Sequence, residues 1–408
     1  MKDYDANFDR FIDDILKKYK NFEDAKDYLD SLFKSLNELR KYREDLHQIP
    51  ELGFKEFKTQ EYILDKVKDF NCESYVLNPT GIVLYFNKNK KRTIAFRCEM
   101  DALPIEEKTG LPFSSKHKDS MHACGHDGHM AILIKFAEYA NRIHTSNNIV
   151  LIFQPSEEEN AGANIILDSG LLEQFNVSCI FGLHIWPNLE KNIIFSRANE
   201  FMAASSEVDV VIHGKSSHIA DGEDGIDALK IACDFVSLSY LNESEMDNSI
   251  YRLLKFGQIS SGTARNVISD RTEIKGSIRS FDPEIHQKLK DILENSKETF
   301  ENLYGTKIDI TYKDSYDAVI NDENLLNQIV KKLPLKFLDF KKMNMLEKPV
   351  MQSEDFGLYR KHCPTVFFFL GIGESHPLHS PYFDFGVSTL ARGLLFFSGL
   401  ANIKFTDK

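Results

Sequence analysis

The 408-residue sequence lacks several features that would place it quickly. It has no excess of positive charge. Its 50 Lys and Arg face 62 Asp and Glu, for a net charge of −12. That balance argues against a dedicated nucleic-acid binder, whose affinity comes from neutralising phosphates with Lys and Arg. No run approaches the roughly 18 apolar residues needed to span a membrane. The N-terminus, MKDYDANFDRFIDDILKKYK, is broken by charge every few residues and carries no apolar signal region, so export is not expected. The six cysteines (72, 98, 124, 179, 233 and 363) form no spaced framework. That fits free thiols in a reducing cytoplasm, where a special cysteine is a ligand or nucleophile rather than a disulfide partner. Cys179, Cys233 and Cys363 stand in apolar surroundings and read as core. There is no internal repeat and no low-complexity linker.

What is present is a globular composition, 42% hydrophobic, in a chain long enough for two domains. The first 45 residues read as helical. Phe8, Phe11, Ile12, Ile15 and Leu16 fall at helical spacing, as do Tyr28, Leu29, Leu32, Phe33, Leu36 and Leu39. Short apolar runs follow at Thr93–Phe96, Ile149–Phe153, Cys179–Ile185 and Val366–Leu370, each succeeded by polar residues. Such runs suit strands buried on both faces of an α/β sheet, with a helix over about 128–143. From about 204 to 313 the pattern changes. Val208, Val210 and Ile212 alternate with polar residues. A helical stretch runs from about 225 to 241, and a strand covers Ile250–Ile259. Arg271–Ser280 alternates again, a helix from about 285 ends at Gly305, and Ile308, Ile310 and Tyr312 mark a last strand. The order β-α-β-β-α-β is that of the split βαβ arrangement. It reads as a small domain at 204–313 inserted into a larger one formed by 1–203 and 314–408.

The polar clusters sit where the strands end. His122-Ala123-Cys124-Gly125-His126-Asp127-Gly128-His129 precedes the predicted helix. Cys124 and His126, two apart in an irregular turn, can face one site as metal ligands, although a C-x-H triplet also arises by chance. His122 and His129 read as capping or supporting hydrogen-bond partners. Ser156-Glu157-Glu158-Glu159 follows the strand at 149–153, where open α/β sheets bind ligands. Adjacent carboxylates repel, and a cation would compensate them, one acting as ligand and its neighbour as general base. A solvated acidic loop is the other interpretation. His184 ends an apolar run, and His379 lies in a turn-rich loop after Val366–Leu370. Asp101, in Arg97-Cys98-Glu99-Met100-Asp101, can orient a ligating histidine. Glu99 and Cys98 are placed either to tune the site or simply to end a strand. Four strand ends thus deliver potential ligands to one edge of one sheet.

Together these segments resemble the M20 metallopeptidase family, in its aminoacylase and amidohydrolase branch. The stretches that carry the resemblance are LHQIPELGFKEFKT, RCEMDALP, MHACGHDGHMAIL, FQPSEEENAGA, GLHIWP, GKSSHIA, ARNVISD, GSIRSF, SEDFGLY and LHSPYFDF, in that order along residues 39–395. The resemblance implies an α/β catalytic domain with an inserted ferredoxin-like lid and dimerisation domain, preceded here by an extra helical segment at 1–38. It implies two divalent ions, Zn²⁺ or Mn²⁺, held by Cys124, His126, Glu158, His184 and His379, with Cys124 bridging. Glu157 is implied as general acid/base and Asp101 as the orienting residue. His218, Asn266 and Arg279 fall where relatives contact substrate, His218 reaching across a homodimer. The implied reaction is hydrolysis of the amide bond of N-acyl amino acids such as N-acetyl or N-benzoyl derivatives. A dipeptidase of the same fold, a thiol hydrolase using Cys124 and His126, and a non-catalytic relative are the rivals. This chain departs from the branch at Cys98-Glu99, where Ala-Asp is usual, at Gly222-Glu223 in place of Pro-His, and at Ser269 in place of Pro.

Overall fold

The computed structural model describes residues 25–333 and 343–406, with side chains from residue 35 onward. The chain divides into two compact units. The first contains the described residues up to Asn199, Asn321–Lys348 and the residues from Leu358. The second comprises Glu200–Ile320 and Pro349–Gly357. The amphipathic stripe of residues 8–16 lies outside the described residues. Among the described residues no helix is long and apolar enough to cross a membrane.

The first unit is built on an eight-stranded mixed sheet. In chain order its strands are β1 (Glu73–Val76), β2 (Ile82–Phe86), β3 (Thr93–Glu99), β4 (Asn148–Gln154), β5 (Val177–Pro187), β6 (Ile194–Ser196), β13 (Asn344–Met345) and β14 (Thr365–Gly373). Their spatial order is β1-β2-β4-β3-β5-β14-β6-β13. The central strands β4, β3, β5 and β14 run parallel to one another, so their C-terminal ends share one edge. Every residue of β3 and β4 is buried, which is why they read as unbroken apolar runs. The apolar runs underestimate the strands. The ladder continues through polar Cys98 and Glu99, which pair with Phe153 and Gln154.

Helix α3 (His126–Arg142) and the C-terminal helix α10 (Val387–Ala401) pack on this sheet, and helix α1 (Ala25–His47) packs against both helices. Helix α3 has buried residues all round through its first three turns, because it lies between β3 on one side and α1 and α10 on the others. Phe96 of β3, Phe136 of α3 and Phe397 of α10 meet with ring centroids 4.7–5.8 Å apart. These edge-on and tilted contacts are the favoured aromatic geometry and bind the three elements together.

The second unit contains β8 (Ala204–His213), helix α7 (Ala228–Ser244), β9 (Leu253–Ser261), β10 (Arg271–Ser280), helix α8 (Pro283–Tyr304) and β11 (Ile308–Tyr316). Its four-stranded sheet has the order β11-β8-β10-β9 with every pair antiparallel. That is the split βαβ arrangement. Asp282 caps α8 by accepting a hydrogen bond from the Glu284 N–H, and Gly305 ends it in the left-handed region at φ 61°. Cys233, expected in the core, is exposed. It stands beside the α7 stripe of Ile231, Ala232 and Phe235 that faces inward, so its apolar neighbours in sequence are not its neighbours in space. Cys179 and Cys363 are buried, as expected.

Candidate metal centre

The site forms where the parallel strands end. Cys124 lies in the turn before α3, and Gly125 makes that turn possible. Its φ is 83°, and a Cβ there would come within 2.3 Å of Ile185 Cδ1. The turn starts the helix at once, so His126 and Asp127 occupy its first positions. His184 sits on β5 beside Phe369 of β14. Glu157 and Glu158 begin a single helical turn, Glu157–Asn160, just after β4. His379 lies in the loop after β14, with its backbone held at φ 64° and its N–H donating to the Ala123 carbonyl at 2.9 Å.

These side chains converge. The donor atoms of Cys124, His126 and His184 lie within 4.8 Å of one another, and so do those of Cys124, Glu158 and His379. The two groups share Cys124. A third group of the same size joins His126, Glu157 and Glu158. Cys124 Sγ is 3.4 Å from His184 Nε2, and His379 Nε2 is 3.3 Å from Glu158 Oε1.

Hydrogen bonds behind the site fix which ring nitrogen points inward. His126 Nδ1 lies 2.9 Å from the Asp101 carbonyl oxygen, and His184 Nδ1 lies 2.6 Å from the Ile185 carbonyl oxygen. A carbonyl only accepts, so each Nδ1 carries the proton and each Nε2 presents a lone pair. Burial pushes His184 well below the ordinary histidine pKa, which keeps it in the neutral, ligating form. Asp101 supports the centre from beneath. Its Oδ1 lies 3.4 Å from His126 Nδ1, and its Oδ2 accepts the Glu158 N–H at 3.0 Å. Burial alone would raise the Asp101 carboxyl. The bond and charge of His126, with the N–H groups of Glu158 and Glu157, bring it below its usual range.

The residues fit a divalent cation. His126 Nε2 is buried with no hydrogen-bond partner among the described residues, a costly arrangement for a polar atom unless a cation meets it. One thiol, three imidazoles and a carboxylate form the donor chemistry of zinc and related ions.

The two other histidines of the motif differ from each other. His129 Nδ1 is 2.7 Å from Glu99 Oε2, and its Nε2 accepts the Ile185 N–H at 3.0 Å. Both nitrogens are engaged, so His129 supports the strand carrying His184, as expected of a supporting residue. Glu99 in turn pairs with Arg97. It ends the strand as part of a buried ionic chain. His122 does not follow the expectation of a hydrogen-bonding role. It is buried, neither ring nitrogen has a hydrogen-bond partner among the described residues, and burial lowers its pKa to about 3.

Sequence reasoning missed a further buried network. Arg43 Nε lies 3.2 Å and His47 Nδ1 2.8 Å from the same Asp127 oxygen. Arg43 also reaches Asp384 at 2.6 Å and donates to the Phe385 carbonyl at 2.5 Å, while His47 Nε2 lies 3.3 Å from Glu107. The network ties α1 to the first turn of α3 and to the loop that follows His379. Its signal in the sequence is two cationic residues, Arg43 and His47, continuing the apolar stripe of Leu36, Leu39 and Leu46.

The remaining expected site residues lie in the second unit. His218 and Asn266 are exposed on adjoining segments. His218 bridges to Val267, and the Ile219 N–H donates to the Asn266 carbonyl. Arg279 is near the C-terminal end of β10, paired with Leu253 and Ser205, whereas Arg271 at the other end pairs with His213. Arg279 therefore stands away from His218 and Asn266 within the unit. Ser269 fills its departure from the family pattern with hydrogen bonds to Ser261 Oγ at 2.8 Å and the Arg271 carbonyl at 2.9 Å.

Residues 95–402 match the model of peptidase family M20/M25/M40. The chain belongs to that family. It is 32% identical over 367 residues to an N-acetyldiaminopimelate deacetylase of Leuconostoc mesenteroides, covering 87% of this chain and 94% of the relative. A deacetylase of the same name from Exiguobacterium sibiricum is 34% identical over 351 residues, covering 83% and 92%. Among solved structures it resembles the Bacillus subtilis YXEP protein, described as a dinuclear metal-binding peptidase of the M20 family. The TM-score is 0.78, with 29% identity over 91% of this chain and 98% of that one. This M20 chain is thus a metal-dependent hydrolase acting on amide bonds, with the mixed α/β fold of its family.

Proposed function

We propose that the protein hydrolyses the amide bond of N-acyl amino acids, releasing a carboxylic acid and a free amino acid. N-acetyl substrates are the leading class, in keeping with relatives named for N-acetyldiaminopimelate. Cys124, His126, Glu158, His184 and His379 would hold two divalent ions, Zn²⁺ or Mn²⁺, with Cys124 common to both. The observation that carries this is the pair of donor groups that share Cys124. Bound there, the ions supply the Lewis acidity that polarises a carbonyl and makes water acidic near neutral pH.

The chain's own residues do the rest. Glu157, buried beside Glu158, takes a proton from water and gives it to the departing nitrogen, because an amine anion is too poor a leaving group. Asp101 keeps His126 in the right tautomer and fixes the Glu158 backbone. His218, Asn266 and Arg279 recognise the substrate. Arg279 stands apart from the other two, which favours a homodimer in which His218 serves the partner's site. The exposed Leu241, Tyr251 and Ile259 of the inserted domain would supply the contact. The proposed location is the cytoplasm, in keeping with six unpaired thiols.

The test is amine release from a panel of N-acetyl and N-benzoyl amino acids, N-acetyldiaminopimelate and dipeptides, by wild type and Glu157→Gln. Turnover of acyl amino acids that the variant abolishes while keeping its metal supports the proposal. Turnover of dipeptides alone moves the assignment to a peptidase.

A further inference from the structure

The turn that carries Glu157 and Glu158 is suspended from two buried carboxylates on other elements. One is Asp101. The other is Glu56, at the start of helix α2 (Phe57–Val67), which is fully buried. Glu56 Oε1 accepts the Ser156 N–H at 2.9 Å, and its Oε2 accepts the Thr80 hydroxyl at 2.5 Å. Ser156 is the hinge of the turn. Its backbone lies in the left-handed region at φ 48° and ψ 54°, uncommon for a residue with a side chain. Its carbonyl accepts the Gly162 N–H at 3.0 Å, and its hydroxyl accepts from Asn160 at 2.9 Å. The turn leaves no slack. A Cβ on Gly53 would come within 2.3 Å of Ser156 Oγ.

We infer that Glu56 is a positioning residue for the acidic turn, setting the placement of the Glu157 carboxyl through the Ser156 backbone. The inference rests on the proposed role of Glu157. Its physical basis is that Ser156 enters a left-handed conformation immediately before Glu157. A rotation there swings the following side chain through a large arc. Without an acceptor the buried Ser156 N–H must turn to find another partner. A shift of about 1 Å at a reacting group is enough to cost roughly 100-fold in rate.

The experiment compares wild type, Glu56→Ala and Glu56→Gln by kcat and KM for N-acyl amino acids, by metal content, and by amide hydrogen exchange across residues 154–162. The glutamine oxygen can still accept the Ser156 N–H. The expected result for Glu56→Ala is a kcat lower by roughly 100-fold, little change in KM, full metal content, and faster exchange confined to the turn. Glu56→Gln should restore most of the rate and the protection. Unchanged exchange in Glu56→Ala overturns the inference, as does a loss of rate that only follows a loss of metal. If Glu56→Ala does not fold, Glu56→Asp, which withdraws the acceptor and keeps a carboxyl group, is judged by the same criteria. A wild type inactive on every acyl amino acid would refute the proposed function, and the exchange measurement would still decide the role of Glu56.

Discussion

Replacing His47 by Gln should remove a pH dependence of stability that the wild type shows on the alkaline side. His47 is buried against Asp127 at 2.8 Å and Glu107 at 3.3 Å. Burial alone would lower its pKa. The hydrogen bond and charge of Asp127, then Glu107, outweigh burial and the nearby Arg43, and raise it from 6.5 to about 9. A raised histidine pKa means that folding favours the protonated ring. Its contribution is therefore complete below pH 6.5 and disappears as the pH climbs through about 9. That interval corresponds to about 3 kcal/mol, each pH unit being worth about 1.4 kcal/mol. The protein's one tryptophan, Trp186, is in the first unit and stacks on Phe369 at 3.9 Å. Its fluorescence therefore reports unfolding of the unit that holds the network. Guanidinium midpoints from pH 6 to 10, at equal metal content, should show the wild type losing about 3 kcal/mol more than His47→Gln. Parallel curves would refute the assignment of a charged, paired His47. Below neutrality the sign reverses. Burial raises the Glu107 carboxyl, but His47 and Thr109 outweigh it and hold the pKa at about 2. That part of the stability is lost as pH falls from 4.5 toward 2.

Gly125→Ala must place a side chain at φ 83° against Ile185. The expected cost is at least about 1–2 kcal/mol from the backbone alone, with reduced metal content. Thermal unfolding and metal analysis check both. Glu99→Gln leaves Arg97 buried without its full countercharge and should destabilise the first unit by about 3–5 kcal/mol. A change below about 1 kcal/mol in the Trp186 transition would mean that the pair contributes little.

Much of the fold was legible because burial writes itself into sequence period. Arg271–Ser280 alternates and is a half-buried strand over those same residues. The four runs buried on both faces became the parallel centre of the sheet. The ends of those strands were harder to see, since Cys98 and Glu99 are polar yet buried and paired. The short helices Glu157–Asn160, Ala163–Asp168 and Leu171–Gln174 span too few turns to show a helical period. At the site, the ligand types and their place after strands were visible. What joins them was not. Arg43 meets Asp127 and Asp384 across 84 and 341 residues of chain, and Glu56 meets Ser156 across 100. A lone charged residue in a linear sequence gives no sign of a partner that far away. Cys233 shows the converse, since apolar neighbours in sequence did not bury it.

The central claim is that divalent metal at the Cys124 centre drives amide hydrolysis, rather than Cys124 acting as a nucleophile. The most direct measurement is activity against N-acetyl amino acids as metal is titrated into chelator-stripped protein, with bound metal quantified at each point. The account predicts no activity in the stripped protein and a rise that saturates at two equivalents per chain, for zinc or manganese. Full activity in the stripped protein, destroyed by alkylation of Cys124, would contradict it.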